Sequence, residues 1–278
     1  MNEQRNMYDS RGFSRVLDTT AAWMLAILWA LPLFYAIWTA FHPAEFSTRF
    51  SLTAPLTLEN FANAWKAAPF ARYFVNTIML VTLTTGMQLV LCTLAAYAFA
   101  RYDFKGKGIA FALILMQLMI MPDVLVVENY STMSKIGVLD STLAISLPYM
   151  ASAFGIFLLR QTFKSVPKEL EEAARIDGAN TGHVLWYVMA PVVSPGLLTV
   201  SVIVGLNAWN EFLITSTFLQ GEKNFTATLM LRSMSGQFGS DIGIMMAGAM
   251  ILIAPVLIFF MITQRYFIDG LVSGSVKG

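Results

Sequence analysis

Charge is what this chain has least of. Asp, Glu, Lys and Arg make up 13% of its 278 residues, whereas 56% are hydrophobic; soluble domains carry roughly 25% charged residues. So few charges cannot surround so much apolar surface in water, and a disordered chain shows the opposite imbalance. Cysteine is nearly absent too. The lone Cys92 excludes an intrachain disulfide framework and any cysteine-cluster metal site. The two histidines, His42 and His183, lie far apart with no His or Cys at ligand spacing, which argues against a metal centre. A net charge of +1 leaves no basic excess to attract nucleic acid. There is no low-complexity tract and no repeat of short fixed period. What is left is an integral membrane protein.

Long apolar runs are what the chain has in quantity. Six segments, at about 19–41, 73–100, 108–128, 141–160, 192–218 and 242–264, are read as membrane spans, each able to cross a hydrocarbon core of roughly 30 Å as a helix. The third ends in the polar pair Asp123 and Glu128. The first resembles a signal peptide in its preceding Arg5, Arg11 and Arg15, but its apolar stretch exceeds an h-region of roughly 7–15 residues and more spans follow. The expected fold is therefore an all-α integral membrane protein, a six-helix bundle in a single domain, 1–278, because a span must satisfy its backbone hydrogen bonds within itself. With the N-terminus inside, Arg49, Lys66, Arg72, Lys135, Lys223 and Arg232 fall outside and the other twelve of the 18 Lys and Arg, Lys277 included, fall inside. That asymmetry places both termini in the cytoplasm.

Between the fourth and fifth spans the texture changes. In the cytoplasmic loop 161–191, Ser165 and Pro167 can open a helix whose early turns carry Glu169, Glu171 and Glu172, complementing the helix dipole. Asp177-Gly178 supplies a stop, and Thr181 is positioned to cap a second short helix that meets Pro191. Leu170, Ala173, Ala174 and Ile176 form a small apolar patch among charges, suited to insertion into a groove on a soluble partner.

Glu172-Ala173-Ala174, then Asp177-Gly178-Ala179, with Val188 and Pro191 at fixed offsets, resembles the EAA loop of permease subunits of binding-protein-dependent ABC importers. The family pattern continues as I-x-L-P, and this chain has Val188 for Ile and Ala190 for Leu, mild apolar exchanges. The likeness extends to Asn76-Thr77, Ala96-Tyr97-Ala98 with Arg101, Leu147-Pro148, Ala208-Trp209-Asn210-Glu211 and the ending Gln264 to Leu271, as in the sugar-transport branch and its maltose-type second permease. The resemblance implies that Glu172, Ala173, Ala174, Asp177, Gly178, Ala179 and Pro191 belong to a coupling helix and its flanks, seated in a cleft of a cytoplasmic ATPase. It also implies the partners: a second permease, two copies of the ATPase subunit with their ATP and Mg, an external solute-binding protein and the bilayer of a prokaryotic inner membrane. This chain has no G-x-x-x-x-G-K-[ST] loop, so no ATP hydrolysis and no cofactor is expected in it. The alternative for loop 161–191 is a solvated amphipathic helix without a partner.

Polar residues inside spans are candidates for a substrate path, since a central charge costs roughly 2.5–3.5 kcal/mol on insertion scales. Asn207, Asn210 and Glu211 share one face of the fifth span, with Trp209 beside them. Amides, a carboxylate and an indole suit a sugar's hydroxyls and C–H face; the alternative is that they hold neighbouring helices together. Asp123 and Glu128 are lesser candidates, Gln88 and Gln117 read as helix–helix contacts, and the runs Met116 to Met121 and Met245-Met246 as adaptable packing. The outer loop Gln220 to Asp241, and within it Ser233, Met234, Ser235 and Gly236, is either a contact for the solute-binding protein, as the resemblance implies, or a re-entrant connector. Two rival functions remain: an intramembrane enzyme, for which no convergent acid, base or metal constellation is present, and import of a phosphorylated polyol such as glycerol 3-phosphate, which calls for Arg or Lys in the path.

Overall fold

A computed structural model describes residues 2–46, 49, 51, 53–237 and 241–272, with side chains described throughout except at 2–17, 233, 235–237 and 263–272. Lys277, Gly239 and Ser240 lie outside the described residues. No strand occurs among those described. In chain order the helical segments are α1 (Asn2–Ala40), α2 (Glu59–Ala67), α3 (Phe70–Arg101), α4 (Lys107–Met116), α5 (Val126–Lys135), α6 (Thr142–Ser146), α7 (Ala153–Ser165) and α8 (Glu169–Ile176). They continue as α9 (Thr181–Val192), α10 (Ser194–Asn210), α11 (Leu213–Phe218), α12 (Ala227–Gln237) and α13 (Ile242–Val272).

Three of these segments are long and apolar enough to cross a membrane: Asp18–Ala40, Phe70–Arg101 and Ile242–Ile262. Two bent pairs, Lys107–Met119 with Pro122–Lys135 at 93° and Thr181–Val192 with Ser194–Asn210 at 80°, bring the number to five if each counts as one span. The sharp bends have local causes. Met121 precedes Pro122 and is extended, with ψ 130°, the conformation that a following proline imposes; Pro195 opens α10 after Val193 has left helical geometry. The segment 141–160 holds two helices, α6 and α7, because Pro148 interrupts the first and Ser152 starts the second by accepting a hydrogen bond from the Gly155 N–H at 3.1 Å.

The chain forms two compact units, residues 1–68 with 234–253 and residues 69–233 with 254–278. In the first, α1 carries apolar side chains that stand exposed, Trp29 to 76% and Trp23 to 66%, as on a helix whose solvent is lipid. At its C-terminal end one side chain holds two carbonyls: Asn60 Nδ2 donates to Ala40 O at 3.1 Å and to His42 O, just past the helix, at 2.8 Å. The ring of His42 stacks on Trp38 and bonds its carbonyl, so this buried histidine is structural.

In the second unit, α3 packs against α7 and α10. Their backbones come close at small residues: a Cβ on Gly155 would lie 3.1 Å from Cys92 Sγ, the close approach that small residues give helices in membranes. Cys92, Tyr97, Leu159, Phe163, Leu185 and Val200 form the heart of one buried cluster toward the C-terminal end of α3. A second, with Leu80, Ile145, Ile214, Phe218 and Leu229, lies toward its N-terminal half.

Candidate functional site

Helix α8 is short, strongly two-faced and sequence-dictated at both ends. Pro167 precedes it, and Glu169, Glu171 and Glu172 crowd its first turn, where the helix N-terminus favours negative charge. At its other end Gly178 has φ +87°. Its N–H donates to Arg175 O at 3.0 Å, and the Ala179 N–H reaches Ala174 O at 3.0 Å. These two bonds make a Schellman stop, the geometry that an Asp-Gly-Ala sequence suits best. Ala174 and Ala179, the apolar pair that accompanies such a stop, both pack on the buried cluster around Tyr97 and Phe163.

The outward face of α8 is open. Ile176 is 86% exposed and Leu170 42%, and Glu172, Ala173, Asp177 and Gly178 are exposed with them. Pro191 lies farther along, in α9, also exposed. The cap of α9 departs from the sequence expectation: Asn180, not Thr181, takes the role, its Oδ1 accepting the His183 N–H at 2.9 Å. Both residues are good caps and adjacent, and the Schellman stop sets the register that leaves Asn180 extended at the helix start.

Glu171 is the exception on α8, since it is buried. Its carboxylate pairs with the Arg101 guanidinium, accepts the Tyr97 hydroxyl at 3.1 Å, and lies where Arg101 Nη2 also donates to Val166 O at 2.8 Å. From the sequence, Glu171 reads only as one of three acidic residues that complement the helix dipole. Its partners stand about seventy positions earlier in the chain, and no local pattern connects them.

Within the second unit lies a cavity of about 440 Å³. Thr84 and Gln88 of α3, Gln117, Asn129, Tyr149, Ser152, Asn207 and Glu211 supply its polar wall, and Leu80, Leu118, Ile120, Ile145 and Val204 much of the rest. Asn207 and Glu211, one turn apart, both line it as their shared face predicts. Trp209 and Asn210 are not among its lining residues. The Trp209 ring lies 6.2 Å from Phe74 and its carbonyl accepts the Thr228 hydroxyl, while the Asn210 amide turns back to Leu206 O at 2.9 Å. Asp123 and Glu128 are exposed and outside the lining.

Glu211 does two things at once. It sits at the break between α10 and α11, where one carboxylate oxygen accepts the Ile214 N–H at 2.8 Å and starts α11; the other accepts the Tyr149 hydroxyl at 3.1 Å. Gln117 Oε1 likewise accepts the Ala153 N–H at 3.1 Å and opens α7. Tyr149 was missed by sequence reasoning. Gln88, read there as a helix contact, faces a different fate: it is buried, it lines the cavity, and its Oε1 has no hydrogen-bond partner. A stripe of Thr77, Thr84 and Gln88 at helical spacing in an otherwise apolar α3 was the available signal.

The outer loop is mostly helix. Its apolar centre is packed, with Leu229 and Met230 buried, and α12 contains Ser233, Met234, Ser235 and Gly236. Of those four only the Met234 side chain is described, and it is buried. The approach to α12 is pinned by Asn76, whose amide donates to Lys223 O and Phe225 O at 2.9 Å each, and by Thr77 Oγ1, which accepts the Ala227 N–H at 2.8 Å. No group of three or more His, Cys, Asp or Glu that could hold a metal ion occurs among the described residues.

A helical protein with apolar spans, an amphipathic helix with one open face and a polar-walled cavity among its helices is built as a membrane transport component. The chain belongs to the family of binding-protein-dependent transport system inner membrane components, whose model it matches over residues 10–271. It is 34% identical over 270 residues to the probable ABC transporter permease protein YurM of Bacillus subtilis, covering 94% of this chain and 90% of that one. To the arabinooligosaccharides transport system permease protein AraQ of Halalkalibacterium halodurans the identity is 32%, over 91% and 93% of the two chains. To the melibiose/raffinose/stachyose import permease protein MelC of Bacillus subtilis it is 29%, over 98% and 100%. The fold is similar to a chain in the crystal structure of a bacterial ABC transporter involved in the import of the acidic polysaccharide alginate, with a TM-score of 0.77 at 22% identity over 91% and 97% of the chains. The expected all-α importer-permease fold is thus the observed one.

Proposed function

We propose that this chain is the transmembrane subunit of an ATP-driven importer and forms, with a second permease, the path for a carbohydrate delivered by an external solute-binding protein. The observation that carries the reading is the arrangement of the second unit: an open, two-faced α8 is fastened to the same helix, α3, that supplies Thr84 and Gln88 to the cavity. Helix α8 enters a groove of a cytoplasmic ATPase subunit, of which the complex has two copies holding ATP and Mg. Glu172, Ala173, Asp177 and Gly178 make that contact from the exposed face, Ala174 and Ala179 seat the helix on the chain's own buried cluster, and Pro191 closes the segment. Both chain termini lie in the cytoplasm. Asn207 and Glu211, with Tyr149 and Gln88, present hydrogen-bonding groups to sugar hydroxyls, and Trp209 and Asn210 act from behind that wall. The residues at the outer end of α12, around Ser233 to Gly236, touch the docked binding protein.

A neutral carbohydrate fits the cavity's chemistry. Its lining contains a carboxylate, Glu211, and no Lys, Arg or His, whereas a phosphorylated polyol asks for a cation. Curated relatives transport arabinooligosaccharides and the melibiose series by name, which supports the same class. The test is uptake of labelled arabinooligosaccharides, melibiose and glycerol 3-phosphate into proteoliposomes holding the four-subunit complex, with the matching binding protein and ATP supplied. Uptake of a neutral sugar that needs both is expected. Uptake confined to glycerol 3-phosphate, or none with ATP, would overturn the reading.

A further inference from the structure

We propose that Glu171, through Arg101 and Tyr97, locks α8 to α3 so that the two move as one body and a displacement of α8 reaches the cavity wall. This rests on the coupling role given to α8 above. The pair is buried, its side chains 6% and 9% exposed, and a buried ion pair is weak grounds for stability, because apolar residues of similar volume often hold a site as well or better. What Arg101, Glu171 and Tyr97 add over an apolar contact is direction. The carboxylate is engaged on both oxygens, by Arg101 and by the Tyr97 hydroxyl, while Arg101 also holds Val166 O at 2.8 Å, just before α8 begins. Helix α8 therefore cannot turn or slide over α3 without breaking hydrogen bonds in a place where water is scarce.

The placement of this lock selects a route. The backbone of α8 packs most closely on the π-helical turn Val184–Met189 in α9 and meets α3 through the long side chains of Glu171, Arg101 and Tyr97. The path through α9 reaches Asn207 and Glu211 only after a π-helical turn and an 80° break before α10, each an interruption of the regular helical hydrogen-bond ladder. Helix α3 is unbroken from Leu80 to Arg101. The thirteen residues from Arg101 back to Gln88 span about 20 Å, and Gln88 and Thr84 stand in the cavity wall. The polar cluster thus ties the moving helix to the unbroken route.

The measurement is the number of substrate molecules taken up per ATP hydrolysed by the reconstituted complex. Glu171→Gln, which keeps the shape and removes the ionic bond, is expected to lower that ratio at least five-fold. The double variant Arg101→Met with Glu171→Leu replaces the cluster by an apolar pair that packs without direction, and the same fall is expected. A cross-link then supplies the missing tie. The Tyr102 and Tyr97 hydroxyls favour the charged form of the Arg175 guanidinium, as neighbours do, so cysteines at Tyr102 and Arg175, in a Cys92→Ser background, are to be joined by a short bismaleimide. In the double variant the cross-link is expected to restore at least half the ratio shown by the same cysteine pair with Glu171 and Arg101 intact. An assembled variant that keeps the wild-type ratio, failure of both variants to assemble, or a cross-link that restores nothing would each overturn the lock. A wild-type chain that binds no ATPase subunit would instead sink the proposed function.

Discussion

Gly221 lies against Asp140: its N–H donates to Asp140 Oδ1 at 3.0 Å, and a Cβ on Gly221 would come within 2.9 Å of Oδ2. Asp140 holds this position from the left-handed region, with φ 58°, a conformation that Asp and Asn accept more readily than other side chains. Its carboxylate also accepts the Gln220 N–H at 2.9 Å, its own N–H reaches Phe218 O, and its carbonyl accepts the Asn224 amide at 2.7 Å. The loop leading to α12 is thereby clamped.

The clamp predicts an acid dependence. Partial burial pushes the Asp140 carboxyl up, but the hydrogen bonds from the Gly221 and Gln220 N–H groups, with the Asn224 amide close by, outweigh it and hold the group below its ordinary value. A carboxyl with a lowered folded pKa stabilises fully above the unfolded value of about 3.9 and loses that contribution as pH falls through the folded value. Melting of the detergent-solubilised chain should therefore show a stability loss below about pH 4 that Asp140→Asn lacks. Asp140→Asn keeps the backbone conformation and weakens two bonds. Asp140→Val adds backbone strain, about 1–2 kcal/mol, and should melt lower still. An acid limb unchanged in Asp140→Asn would refute the assignment.

At Gly178 the backbone carries the prediction. With φ +87°, a β-branched side chain meets a conformation that costs L-residues roughly 1–2 kcal/mol. Gly178→Val should displace the stop of α8 and reduce co-purification of the ATPase subunit at least ten-fold while the chain still reaches the membrane. Gly178→Asn should lose much less, because Asn tolerates the left-handed region. Equal losses in the two variants would show that space, not φ, governs the site.

The sequence made these local devices readable because each is complete within a few residues: an acidic first turn, then Asp-Gly-Ala. The breaks were harder. The span assignment treats 141–160 and 192–218 as continuous helices, although Pro148, and Glu211 bonding the Ile214 N–H, end them early. Pro122 offered a breaker signal that the span assignment 108–128 passed over, and the chain bends there by 93°. Glu171 illustrates the limit best. Whether a glutamate in a three-glutamate turn is solvated or buried depends on Arg101 and Tyr97, which only the tertiary fold brings beside it.

Close packing of α7 on α10 yields a paired prediction. A Cβ at Gly196 would lie 2.8 Å from Thr162 Oγ1 and 3.0 Å from its Cγ2. Thr162 cannot swing away freely, since its hydroxyl donates to Leu158 O at 3.0 Å and its β-branched side chain is stiff at χ1. Gly196→Ala should lower stability by about 1–3 kcal/mol through overpacking, and Thr162→Ala, which removes the offending atoms, should return most of it in the double variant. Thermal melts of the four proteins give the coupling directly. Additive effects would mean that the helices separate rather than clash.

Gln88 separates stability from transport. Its side chain is 6% exposed and its Oε1 is buried without a partner, an omission that costs about 1–3 kcal/mol where a polar group is desolvated. Such a violation of local consistency belongs at a working site, and Gln88 stands in the cavity wall beside Thr84. Gln88→Leu fills similar volume and removes the unsatisfied acceptor, so the variant should melt at the wild-type temperature or above it. If a sugar hydroxyl donates to that amide during passage, uptake should fall roughly ten-fold, the equivalent of about 1.4 kcal/mol. The two readouts move in opposite directions only for a residue kept for the cargo. A lower melting temperature would mark Gln88 as a helix contact after all, and full uptake in a stable Gln88→Leu protein would remove it from the path.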